Sequence, residues 1–300
     1  MLNLLKRTIT KSWRIIASPK IVKLHPLFPS KLYLKCKFRA DLDCKLDLKH
    51  PQTYNEKLQW LKLNDYQPHY TQMVDKYEAK KYVADRIGEE YIIKTLGIWD
   101  SFNDIDFEKL PEQFVLKCTH DSCSNVICKN KENFSKEEAA RKIQSCLSRN
   151  FYYSGRELPY KNVKRRIIAE EYLEDDRYHE LRDYKFFTFG GVPKVVHIVS
   201  NRQNANEETY GDFFDMEYNH LALKMGHENA PVIPEQPIHF EKMKELTAVL
   251  AEGTRHLRVD FYEVNGKVYF GELTFYQDSG FGDIQPPEWN KTLGSWIDLS

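Results

Sequence analysis

The sequence predicts an α+β protein built from antiparallel sheets and helices, not a doubly wound parallel sheet. Three observations carry that prediction. Two pairs of strand-like runs are joined by short glycine turns, at Gly190-Gly191 and at Asn265-Gly266, the pattern of an antiparallel hairpin. Capping sequences open helical stretches at Asp75-Lys76-Tyr77-Glu78 and at Ser135-Lys136-Glu137-Glu138. The chain contains neither G-x-x-x-x-G-K nor a strand-linked G-x-G-x-x-G, so a P-loop or Rossmann nucleotide site is not expected.

Taken in order, the first capped helix starts at Asp75 and is closed by Gly88. Residues 113–119 read as a strand, 120–125 as a polar loop and 126–128 as a second strand. The second capped helix runs from Ser135 to about Asn150, and 167–173 is a further strand. Residues 184–189 and 192–198 form the first hairpin, in which Pro193 demands an edge position or a bulge. A helix over 240–252 ends at Gly253, and 257–264 with 267–275 form the second hairpin.

A 41% hydrophobic content supports a sizeable core, and a 13% aromatic share suits strands and a ligand cleft. The net charge is zero but unevenly spread: residues 1–50 carry 12 Lys and Arg against 3 Asp. The apolar leader (Leu2, Leu4, Leu5, Ile9, Trp13, Ile15, Ile16) is either a surface anchor on anionic membrane through residues 1–20 or a helix packed on its own domain. No apolar run is long enough to span a bilayer, and the leader lacks a signal-peptide core. Six cysteines without C-x₂-C spacing point to neither a disulfide scaffold nor a zinc site, and a reducing cytoplasmic compartment is expected. Beyond the basic leader nothing suggests nucleic-acid binding.

The most informative stretch is Arg258-Val259-Asp260-Phe261, followed after a turn by Glu272-Leu273-Thr274-Phe275. A two-residue Asn265-Gly266 turn would put Asp260 and Glu272 on opposite faces of the hairpin. An odd-length loop with Gly266 left-handed puts Arg258, Asp260, Glu272 and Thr274 on one face and Val259, Phe261, Leu273 and Phe275 on the other. Binary patterning favours the odd loop. Two carboxylates and an arginine on one interior face require a counterion or ligand, and Mg²⁺ shared with nucleotide phosphates supplies one; a surface ion-pair network is the alternative. Lys117 ends a strand before the loop His120-Asp121-Ser122-Cys123-Ser124-Asn125, where a lysine and backbone N–H groups can hold phosphate. Ile168-Ala169-Glu170-Glu171-Tyr172-Leu173 reads as a strand able to pair with an adenine edge, with Asp183 ten residues on.

In this order the motifs resemble the ATP-grasp superfamily, and most closely its TupA-like branch, associated with teichuronopeptide and other surface-polysaccharide biosynthesis. The resemblance continues through Tyr54-Asn55-Glu56-Lys57-Leu58-Gln59-Trp60, Leu181-Arg182-Asp183-Tyr184-Lys185 and Gly271-Glu272-Leu273-Thr274. With the basic segment over 1–50 read from its charge, it implies a helical region over 51–110 and an ATP-grasp domain over 111–300, with subdomains of about 111–166 and 167–300. It assigns Lys76 and Lys117 to phosphate, with Ser122 and Ser124 in the covering loop. It assigns Glu170, Glu171, Tyr172 and Leu173 to the adenine hinge, Asp183 to ribose and Lys185 to the phosphate side. Arg258 falls near the transferred phosphate, and Asp260, Glu272 and Thr274 at the metal. Thr274 replaces the usual Asn, and Cys123 a usual glycine.

The activity the resemblance implies is ATP- and Mg²⁺- or Mn²⁺-dependent joining of a carboxylate to an amine through an acylphosphate, with a carboxylate-bearing glycan as acceptor. A phosphotransferase would use the same groups on a hydroxyl. A glycosyltransferase would want a D-x-D metal site on a nucleotide-sugar fold, and the match Asp41-Leu42-Asp43 lies in the basic leader. A catalytically silent binding module is the non-enzyme alternative, opposed by the intact Lys117, Asp260 and Glu272.

Overall fold

The computed structural model describes residues 27–122, 124–202 and 208–300. The 1–20 leader and Cys123 lie outside the described residues. No described helix is long and apolar enough to cross a membrane.

Helix α1 (Ser30–Leu42) leads into α2 (Tyr54–Asn64), which opens on a full capping box: the Thr53 hydroxyl accepts from the Glu56 N–H and the Glu56 carboxylate from the Thr53 N–H. After α3 (Tyr70–Val74), helix α4 spans Glu78–Ile87. Asp75 caps α4 from outside, accepting from the N–H groups of Tyr77 and Glu78 at 2.9 and 3.3 Å. The Glu78 side chain turns instead to Arg166, so the expected capping box is half formed.

A four-stranded antiparallel sheet runs in the order β1 (Thr95–Trp99), β4 (Ile167–Glu171), β2 (Phe114–Cys118), β3 (Val126–Cys128). Helix α5 (Lys136–Leu147) packs on it through Ala139, Ile143 and Cys146, spaced one helical face apart. The short helix α6 (Tyr152–Gly155) follows, and the chain then crosses to a six-stranded sheet between Glu171 and Asp183. Its strands include β5 (Asp183–Phe189), β6 (Val192–Ser200), β7 (Tyr210–Asp215) and β8 (His220–Leu221). After a short β9 (Lys224–Met225), helix α7 (Phe240–Ala251) covers one face of this sheet with Phe240, Met243, Leu246 and Leu250. β10 (His256–Val264) and β11 (Lys267–Thr274) complete the order β11-β10-β5-β6-β7-β8; β12 (Ile284–Gln285) pairs with β9, and α8 (Glu288–Ser295) closes the chain.

The second hairpin corrects one expectation. Its turn is the two-residue one: Val264 pairs with Lys267, and Asn265 and Gly266 have φ of 49° and 75°, the left-handed pair of a type I′ turn. Phe261 pairs with Phe270 but Asp260 with Glu272, leaving Gly271 as a β-bulge. The extra residue that restores a common face sits in the strand, not in the loop. Arg258 pairs with Thr274, and Val259, Phe261, Leu273 and Phe275 are all buried in the core. The expected division into a charged and an apolar face therefore holds, by a different device. In the first hairpin Pro193 lies at a bulge, since Thr188 pairs with Pro193 but Phe187 with Val195.

Candidate active site

One rung of the six-stranded sheet organises the charged face. Glu272, Asp260, Lys185, His197 and Phe213 are successive cross-strand partners, from β11 through β10, β5 and β6 to β7. Directly opposed residues share a face, so the first three place two carboxylates and an ammonium side by side. The bulge at Gly271 and the bulge beside Pro193 together bring these residues into line.

Arg258, one residue pair along, ties the rung together. Its Nε and Nη2 donate to the two Asp260 oxygens, each at 2.6 Å, and Nη2 also donates to Glu272 Oε1 at 2.6 Å. Lys185 Nζ donates to Asp260 Oδ2 at 2.8 Å and Asp183 Oδ1 at 3.0 Å, and Arg202 holds the other Asp183 oxygen at 2.8 Å. Burial works against the ionised Glu272 carboxyl, but Lys76, Arg258, Lys185 and Arg202 outweigh it and hold the group well below the glutamate range. Asp183 is depressed in the same way, against its burial, by Lys185 and Arg202.

The facing wall comes from the four-stranded sheet and α4. The Lys76 N–H donates to Thr119 O at 3.0 Å, which fixes Lys76 beside the end of β2, and its Nζ lies 3.8 Å from Glu272 Oε2. Four residues on, in the first turn of α4, Lys80 meets Glu170 Oε1 at 2.6 Å, while Lys117 meets Glu170 Oε2 at 2.6 Å. Glu170 is buried, which by itself would raise its pKa, but Lys117 and Lys80 pull it down to about 2.

These walls enclose a cleft in three connected parts. An apolar slot lies between Val115, Ile127, Leu173 and Leu181, with Glu171 and Tyr172 at its edge. A cationic middle is lined by Lys76, Lys80, Lys117, Ser122, Arg202 and Glu272. Beyond Glu272 opens a wider pocket with Phe151, Tyr153, Tyr160 and Tyr276 on its walls, together with Arg258 and Thr274. The middle shares Lys117, Asp183 and Tyr262 with the slot, and Lys76, Ser122 and Glu272 with the pocket.

Of the expected residues, Lys76, Lys117, Ser122, Glu170, Glu171, Tyr172, Leu173, Asp183, Arg258, Glu272 and Thr274 all line this cleft. Asp260 and Lys185 stand behind them, buried and ion-paired. Ser124 turns inward: it is buried, and its hydroxyl accepts from the Cys118 N–H at 2.8 Å, so it shapes the loop without facing the cleft. The Glu170 side chain clamps the two lysines instead of bordering the slot alone. Lys80, Arg202 and Tyr262 were not anticipated; only Lys80 carried a signal, four residues after Lys76 in the stretch that the sequence marks as a capped helix from Asp75.

Among the described residues no group of three or more His, Cys, Asp or Glu could hold a metal by protein ligands alone. Asp260 and Glu272 supply two carboxylates, and the Thr274 hydroxyl, which donates to Glu272 Oε1 at 3.4 Å, a third oxygen. That hard, incomplete oxygen set suits Mg²⁺ or Mn²⁺ taking its remaining ligands from phosphate and water.

No characterised protein matches the sequence at a significant level. Solved structures with a similar fold include the D-alanine–D-alanine ligase of Bacillus anthracis complexed with ATP, at 13% identity and TM-score 0.40 over 68% of this chain and 53% of that one. The ATP-grasp ligase PsnB complexed with a phosphomimetic variant of its minimal precursor, Mg and ADP is similar at 8% identity and TM-score 0.43, over 81% and 66% of the two chains. The D-cycloserine synthetase DcsG is similar at 14% identity and TM-score 0.41, over 76% and 71%. This chain thus spans about half the length of the Bacillus anthracis enzyme, 53% of it. The family model described as TupA-like ATPgrasp matches residues 56–298, from the first turn of α2 to the last residues of the chain. The chain belongs to the TupA-like ATP-grasp family.

Proposed function

We propose that the protein is an ATP-dependent ligase that activates a carboxylate and joins it to an amine. The observation that carries this reading is the placement of the Arg258–Asp260–Glu272 cluster between an apolar slot and a separate polar, aromatic pocket. The slot suits the adenine, with the Glu171–Leu173 stretch at its edge. The cationic middle, with Lys76, Lys80 and Lys117, suits the phosphates. Asp260, Glu272 and Thr274 would hold Mg²⁺ or Mn²⁺, which supplies charge neutralisation at the phosphates when bound.

The acceptor then enters from the pocket beyond Glu272. Its carboxylate oxygen attacks the γ-phosphorus as the bond to ADP breaks, and an amine attacks the acyl carbon as phosphate leaves and the amine loses a proton. Arg258 and Lys76, at the junction of middle and pocket, stabilise the negative charge that develops there. The aromatic walls restrict water at the acyl carbon. The proposed acceptor is a uronic acid or other carboxylate-bearing glycan and the proposed amine an amino acid or amino sugar, in surface-polysaccharide biosynthesis, a reading supported by the resemblance to the family alone; the proposed contact with the inner face of the membrane rests on the basic leader over residues 1–20.

ADP release measured against panels of carboxylates and amines, with mass spectrometry of the product, tests the reading. An amide product and one ADP per turnover are expected. Tight binding of UDP-sugars without ATP binding, or a phosphorylated acceptor formed without amine, overturns it.

A further inference from the structure

Helix α2 contains a motif whose part in the site is not explained by nucleotide binding. Asn55, Gln59 and Lys62 lie on one face of α2, spaced by four and three residues, and all three are buried. That face points at the segment following β11, not at the nucleotide slot. Asn55 Nδ2 donates to Gly282 O at 2.9 Å, and Gln59 Nε2 to Ser279 O and Gly280 O at 3.1 and 2.8 Å. Lys62 Nζ donates to Ser279 O at 2.6 Å, Ser279 Oγ at 3.0 Å, Gly155 O at 2.7 Å and Gln59 Oε1 at 3.0 Å.

The backbone they hold is unusual. Asp278, Ser279 and Gly280 are consecutively left-handed, with φ of 47°, 53° and 63°. For the two residues with side chains this conformation is costly and persists only where the surroundings impose it. Contact is close: a Cβ on Gly280 would lie 2.5 Å from Gln59 Nε2, and a Cβ on Gly155 1.8 Å from Ser279 Oγ. Tyr276, Asp278 and Ser279 form one wall of the pocket beyond Glu272, and residues of the 151–160 stretch form the other. The Lys62 ammonium therefore bonds to both walls at once. Burial pulls that ammonium down to about 7, partly offset by the buried Glu157 on the second wall.

We infer that Lys62, supported by Gln59 and Asn55, is a positioning residue that fixes the two walls of the acceptor pocket by imposing the left-handed Asp278–Gly280 backbone. The assignment of that pocket to the acceptor rests on the ligase reading above; the mechanical role of Lys62 does not. Lys62 touches neither nucleotide slot nor phosphate-binding lysines, so its loss acts on the acceptor side alone.

The test uses the full chain with Lys62→Met and, should that variant not fold, Gln59→Met, which removes one donor to the same carbonyl. Three readouts are taken: amide hydrogen exchange, affinity for Mg-ATP, and ADP release with glucuronate plus a mixture of amino acids. Exchange at 152–157 and 276–282 is expected to rise at least tenfold while β2 stays protected. Mg-ATP affinity stays within about twofold, and KM for the carboxylate rises by tenfold or more. Adding Ser279→Gly to Lys62→Met, which removes the side-chain penalty at a left-handed position, restores part of the lost protection. Unchanged exchange at 276–282, or a loss of Mg-ATP affinity as large as the loss for the carboxylate, overturns the inference. If the wild-type protein binds no Mg-ATP, the ligase reading fails, and the exchange comparison still decides the role of Lys62.

Discussion

The two hairpins of the large sheet are built alike and advertise it differently. Each has a two-residue left-handed turn, Gly190-Gly191 or Asn265-Gly266, and each carries a one-residue bulge further along its second strand. In the first, the extra residue is Lys194, next to Pro193, which has no N–H to give to a ladder and so announces the irregularity in the sequence. In the second, the bulge falls at Gly271, and a glycine in a strand signals a bulge only weakly. The patterning of charged and apolar residues demanded one extra residue between Asp260 and Glu272. Parity alone did not tell whether that residue lay in the turn or in the strand. A bulge preserves the pairing on its turn side and re-aims the side chains beyond it, so the second hairpin sets Glu272 and the first sets His197 with the rest of β6.

That contrast orders the expected effects of substitution. The largest is Glu272→Gln, which keeps the shape but removes the charge shared with Arg258 and Lys76. ADP release should fall at least about a hundredfold, with the far-UV circular dichroism of a folded protein retained and melting lowered by the lost ion pairs. A variant that folds and retains wild-type turnover would remove Glu272 from the metal site. Next is Gly271→Val, whose Cβ would come within 3.1 Å of Asp260 O and of the Tyr262 ring. A loss of about 2 kcal/mol in denaturant unfolding is expected, together with reduced turnover.

An acid titration sharpens the comparison by turning to the other sheet. The folded-state pKa of Glu170, about 2, lies below its ordinary 4.5, so the Lys80–Glu170–Lys117 cluster contributes stability that is fully present above pH 4.5 and lost as pH falls toward 2. Unfolding followed across that window should show a steeper decline for wild type than for Glu170→Gln; equal slopes would deny the cluster its stabilising role. The smallest effect belongs to Pro193→Val. It restores an N–H at a bulge remote from the cleft, so stability should shift by no more than about 0.5 kcal/mol and ADP release not at all.

Much of this architecture was legible because periodicity and turn chemistry act locally. The Val259, Phe261, Leu273 and Phe275 face, the Lys117 strand and the Ser135 cap are all set by neighbours within a few residues. The features that escaped depend on distant partners. Thr95–Trp99 is half-buried at every position, and its pairing with Ile167–Glu171 leaves no alternation to read. Tyr210–Asp215 is interrupted by Gly211 and Asp212, residues poorly suited to strands, yet Phe213 and Phe214 are buried on its two faces. Arg202 enters the cleft only because Asp183 is there to receive it. Lys62 looks like an ordinary solvated lysine on a helix until 279 is brought against it.

The ion pairs of the cleft have a consequence for how it fills. Lys80 and Lys117 share Glu170, Lys185 bridges Asp183 and Asp260, and Arg258 spans Asp260 and Glu272. On the proposed reading, uptake of a polyphosphate and a divalent cation would be a double exchange of partners, in which carboxylates released by lysine and arginine pass to the cation as those bases pass to phosphate. Either ion arriving alone would strand a buried charge of its own sign. The two should therefore bind with positive, reciprocal cooperativity, and nucleotide without divalent metal should be held far more weakly than the number of basic groups suggests.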